Sequence, residues 1–77
     1  MMDRELFYTR LAAILQVSPE QFAAGGRRLP YEPESVVLLE IMALVDEMTG
    51  VILSPDAFKG TKSADDILDL VASSTVQ

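Results

Sequence analysis

The side chains that carry most protein chemistry near neutral pH are missing from this sequence. It has no cysteine, so disulfides, thiolate nucleophiles and thiolate metal sites are excluded. It has no histidine, which removes the commonest general base and every Ser-His or Cys-His nucleophile pair. Carboxylates, lysines, tyrosines and serines remain. Glycosidase-type carboxylate pairs need a cleft between the two acids, and a 77-residue chain that reads as helical has little room for one. Glu40 with Asp46 or Glu47 therefore reads as a solvated helix face. Gly25-Gly26 lacks the GK[ST] and the strand–turn–helix context of a phosphate loop. Arg27-Arg28 is too short a basic run to carry meaning alone. No catalytic residue and no metal site is expected.

Ser35 stands apart. It follows Pro33-Glu34 and opens the most apolar segment of the chain. A hydroxyl at the start of a helix is exposed, fixed in direction and close to backbone amides that lack a partner inside the helix. A phosphate ester on that oxygen lies in the positive field of the helix N-terminus. Serine is also a favoured helix cap, and on the local residues alone a cap at Ser35 or Glu34 is the stronger reading.

The elements that must position this hydroxyl can be read from periodicity. Residues 3–16 predict an amphipathic helix, with Phe7, Leu11, Ile14 and Leu15 on one face, Leu6 on its flank and Asp3, Arg4 and Arg10 on the other. Ser18-Pro19-Glu20-Gln21 has the residues of a capping box with proline in the first turn, opening a single helical turn before Gly25-Gly26. That turn sits in a long loop over 17–33, with Val17, Phe22 and Leu29 as its expected anchors to the core. Residues 35–49 form the strongest helix, apolar nearly all round, so it is either central to a bundle or turns a second face to a partner. Gly50 suits its left-handed end. Ser54-Pro55-Asp56 starts a short turn through Phe58. Ser63-Ala64-Asp65-Asp66 caps a last helix over 64–73, with Ile67, Leu68 and Val71 inward and a frayed tail from Ser73 to Gln77. The expected fold is all-α: a single domain over 1–77, a small bundle of three to four helices with a long loop between the first and second main helices.

Charge narrows the partners. Twelve acids against six bases give −6, distributed unevenly. Residues 1–30 carry Arg4, Arg10, Arg27 and Arg28 against three acids, whereas residues 31–77 carry nine acids against Lys59 and Lys62. So acidic a surface disfavours nucleic acid and steers toward basic patches on other proteins, although acids also serve simply to keep a small domain soluble. No apolar stretch approaches a membrane span and the first residues lack a signal peptide's basic and apolar regions, so a soluble, cytoplasmic, monomeric protein without a membrane partner is expected.

The wider segment weighs on the two readings of Ser35. Glu34-Ser35-Val36, Glu40 five residues after the serine, the apolar-acidic run through Met48, and Gly50-Val51-Ile52-Leu53-Ser54-Pro55 together resemble the acyl carrier protein family. That family opens its second helix with Asp-Ser-Leu and follows it with a Gly-apolar-x-apolar-x-Pro run. Leu15-x-Val17, the long loop and the segment 63–71 fall in the same order, so the resemblance covers essentially the whole chain. Glu34 replaces the usual aspartate, Val36 the usual leucine, and Val37 stands where many members carry another acid.

The resemblance implies a non-catalytic carrier. A phosphopantetheinyl transferase would attach 4'-phosphopantetheine to Ser35, and the arm would hold acyl groups as thioesters for synthase, ligase or acyltransferase partners with basic docking patches. Glu34, Val36, Val37, Glu40, Ala43 and Glu47 are the implied docking residues, and such docking should weaken with salt. The less acidic second helix leans toward polyketide or related secondary metabolism over fatty-acid biosynthesis. A peptidyl or aminoacyl carrier is the alternative within the family. A helical protein-interaction adaptor with Ser35 only a cap, or a homodimer through that helix, is the alternative outside it.

Overall fold

The computed structural model describes residues 3–30 and 35–75, with side chains described to residue 73. In chain order the elements are α1 (Arg4–Ile14), α2 (Pro19–Ala24), α3 (Ser35–Thr49), a 3-10 helix (Pro55–Gly60) and α4 (Ala64–Thr75). The expected all-α bundle is what forms.

The ends of the helices follow their local chemistry. Asp3 caps α1, its carboxylate accepting from the amides of Glu5 and Leu6 at 3.0 and 3.2 Å. Ser18 and Gln21 close the capping box of α2 in both directions. Ser54 caps the 3-10 helix through the amide of Ala57. At α4 the Ser63 hydroxyl accepts from the amide of Asp66, and the Asp66 carboxylate accepts from the amide of Lys62 at 2.8 Å. Gly50 takes φ +75° just past α3, as expected of a left-handed cap.

Three expectations need correction. The first helix stops at Ile14, two residues short of 16. Gln16 turns left-handed at φ +61°, while the amides of Gln16 and Val17 bond the carbonyls of Ala13 and Ala12. This is the helix-ending pattern that glycine normally serves, so periodicity alone gave no stop signal there. Val17 is not a core anchor: it is 37% exposed, because that turn carries it outward, while Phe22 is buried and Leu29 half-buried against the core. The last helix continues through Thr75, so residues 73–75 are helical where fraying was expected.

The connection from α2 toward α3 is held by backbone as well as by its anchors. Leu29 donates to the carbonyl of Lys62 and Ala64 donates to that of Arg27, at 2.8 and 2.9 Å, around an antiparallel bridge between Arg28 and Ser63. Arg27 sits at φ +55° with its guanidinium 4.1 Å from the centre of the Tyr8 ring. The Tyr8 hydroxyl donates to Asp65 at 2.5 Å, which together with desolvation raises the phenol above its usual pKa. One residue from each of α1, the α2–α3 connection and α4 thus meets at this clasp.

One core runs through all five elements. Phe7, Leu11 and Ala12 enter it from α1, Phe22 from α2, Ile41, Leu44 and Val45 from α3, Phe58 from the 3-10 helix, and Ala64, Ile67, Leu68 and Val71 from α4, with Leu53 between. Each is spaced along its helix so that one stripe faces inward. The described residues include no buried polar side chain. Among the described residues no helix is long and apolar enough to cross a membrane.

Candidate functional site

Ser35 is the first residue of α3 and is exposed. The chain reaches this helix through Pro33-Glu34, and proline disfavours helix in the residue before it. From Ser35 onward there is neither Gly nor Pro until Gly50, and the apolar periodicity sustains four turns. The helix has no acidic residue in its first turn, so within α3 nothing opposes an anion at its positive end.

The α3 helix is not apolar all round in its surroundings. Its buried residues are Ile41, Leu44 and Val45, with Val37, Leu38, Met42 and Met48 half-buried against the core. Val36 and Leu39 are 64% and 62% exposed. The helix thus has an exposed apolar surface besides its core face, and it begins one residue after Ser35.

The sequence-derived docking residues divide. Val36, Glu40, Ala43 and Glu47 lie at i, i+4, i+7 and i+11, a single stripe, and all four are exposed. Val37 sits about 100° round the helix from Val36 and packs against the core, so it leaves that surface. Glu34 lies outside the described residues. Leu39, which the sequence reading did not place on this surface, belongs beside Val36; three-residue spacing from Val36 was the signal for it.

Glu47 also carries a contact that no local pattern announces. Arg10 of α1 grips it with two hydrogen bonds, 3.1 Å from Nη1 to Oε1 and 2.7 Å from Nη2 to Oε2. The pair brackets a groove of about 480 Å³ between the helices, in which Gln16 and Glu40 also take part. Arg10 thus lies by Glu47 while Gln16 lies toward Glu40, so α1 and α3 run antiparallel and α1 ends beside the half of α3 that holds Ser35. The same pairing lowers the Glu47 carboxyl below its usual pKa, first by hydrogen bonding and then by charge.

A titration should show this directly. In a carboxyl-carbon NMR titration Glu47 is expected to protonate below the usual glutamate range, and Arg10→Gln should return it there. The folded pKa is depressed, so the pair's small contribution to stability is present above the unfolded glutamate pKa and is lost as pH falls through the lowered value. A Glu47 titration indifferent to Arg10→Gln would mean that the bidentate contact does not persist in solution.

A scan of family models and searches of curated proteins and of solved structures find no match to this chain. No cluster of three or more carboxylates among the described residues is placed to hold a metal ion. What the arrangement offers is an exposed hydroxyl at the positive end of a fifteen-residue helix, with an apolar surface beside it.

Proposed function

We propose that this chain is a carrier protein of the acyl carrier type, accepting 4'-phosphopantetheine on Ser35. The observation that carries the reading is the exposed Ser35 hydroxyl at the N-terminus of α3, with exposed Val36 and Leu39 beside it. The group fits these residues: the phosphodiester would lie at the first amides of α3, which have no partner inside the helix, and an exposed side chain leaves room for a long substituent. When bound, the group supplies a terminal thiol that holds acyl groups as thioesters. Ser35 provides the attachment oxygen, at the first position of α3. Val36, Leu39, Glu40 and Ala43 give the transferase and later enzymes a surface that adjoins the attachment point. The chain has no histidine or cysteine, so activation of the Ser35 hydroxyl is left to the transferase. Acyl cargo from polyketide or related secondary metabolism fits a second helix with few acids, and aminoacyl cargo is the second choice.

The same exposed Val36 and Leu39 also favour a helical adaptor, in which the surface is an interface and Ser35 only a cap. One experiment separates the two. The purified protein and its Ser35→Ala variant are incubated with coenzyme A and a broad-specificity phosphopantetheinyl transferase, and intact mass is recorded. One added phosphopantetheine on the parent and none on the variant is the expected result. No addition to either folded protein would overturn the carrier reading and leave the adaptor.

A further inference from the structure

The residues that α3 turns outward are of two kinds. At about 100° per residue, Val36, Leu39 and Ala43 fall in the middle of its exposed face. Glu40 and Glu47 lie on the edge toward α1, where they line the groove between the two helices, and Asp46 lies on the opposite edge. Packing then supplies a cation to the first edge. Among the described residues Arg4 lies by Asp65 and Lys59 by Asp56, whereas Arg10 crosses from α1 to α3. Its fork takes both oxygens of Glu47, and its side chain remains 39% exposed. Glu47 therefore offers a partner a closed ion pair instead of a free carboxylate, and the charge of Arg10 stands at the rim of the face.

Resting on the carrier reading of Ser35, we propose that Arg10 determines which partners this chain serves. It selects enzymes that dock on α3 through an apolar surface and discriminates against those that dock through clustered lysines and arginines. The middle of the face fits an apolar partner, since Val36 and Leu39 stand exposed beside the attachment point. A basic partner fares differently. Its lysine or arginine must displace Arg10 from Glu47 or accept a like charge at the rim, and either slows encounter. Hydrogen bonding to Arg10 holds the Glu47 carboxyl below the usual range, so the pair is intact at neutral pH. Glu40 and Asp46 remain, but on opposite edges of the face, so they do not together form a patch that a basic cluster could grip. Arg10 acts through Glu47 and is a positioning residue for docking. The resemblance to carrier proteins implies partners with basic patches; the packing of α1 on α3 turns this chain away from them.

The test follows phosphopantetheine transfer to Ser35 by intact mass with two transferases, one that docks carriers through a basic surface and one that docks them through an apolar surface. The parent, Arg10→Gln and the double variant Arg10→Gln with Glu47→Gln are compared, with urea melts as the control for folding. Relative to the parent, Arg10→Gln is expected to raise kcat/KM of the basic-surface enzyme by roughly threefold to fivefold at low salt. The apolar-surface enzyme should change by less than about twofold. The gain should vanish when Glu47→Gln is added, and again in about 0.5 M salt, where exposed charges are screened. No gain, an equal gain with both transferases, or a gain that survives Glu47→Gln overturns this inference and leaves the carrier reading intact. Failure of both transferases to load the folded parent overturns both.

Discussion

Phe7→Ala is expected to cost about 3–5 kcal/mol of stability, a large fraction of what so small a protein has. Phe7 is fully buried in the core that residues of all the described helices share. Removing the ring deletes its transfer free energy and leaves a cavity that the surrounding helices, tied by the Arg10–Glu47 pair and the Leu29–Lys62 bond, can only partly close. A chain of 77 residues commands about 4–12 kcal/mol in total. With a urea slope of about 1 kcal/mol per molar for so small a protein, the midpoint should fall by about 3 M or vanish. Val36→Ala, at a 64% exposed site, should stay within about 0.5 kcal/mol of the parent. Equal losses at the two positions would mean that α1 is not packed as described.

Val36→Asp and Leu39→Asp are expected to slow phosphopantetheine transfer to Ser35 by roughly tenfold each, with stability nearly unchanged. Any enzyme that reaches the Ser35 oxygen must lie over its neighbours, and these two side chains are one residue and one turn away. Covering an exposed valine or leucine in such an interface contributes about 1–2 kcal/mol, and 1.36 kcal/mol corresponds to tenfold in rate. The effect should appear in kcat/KM, with intact mass as the readout and urea melts as the control. The salt dependence should be shallow, because Arg10 already occupies Glu47 and leaves Glu40 as the other acid of the stripe. Arg10→Gln should steepen it. Full transfer rates in both aspartate variants would mean that the transferase approaches from another side of α3.

Much of this was written in short-range patterns. The capping residues Ser18, Ser54 and Ser63 lie three residues before the groups they bond, so type and spacing alone announce them. The inward stripe of α4, Ile67, Leu68 and Val71, follows from the helical period. The position of Ser35 at the start of α3 was equally legible, since Pro33 and Gly50 bracket an uninterrupted apolar run. Gln16 was not: a glutamine disfavours the left-handed conformation it takes there, so its type carries no stop signal.

By itself, then, the sequence determined the helices, the capping residues at their starts, the absence of histidine and cysteine chemistry, and the serine that opens the most apolar helix. These depend on residues no more than a few positions apart. Only the tertiary structure decided which side of α3 faces outward, that Arg10 takes Glu47 from thirty-seven residues away, and that Tyr8, Arg27 and Asp65 close a clasp. The reason is physical: period fixes which residues share a stripe, but the crossing of two helices sets which long side chains meet across it, and that geometry depends on the whole core.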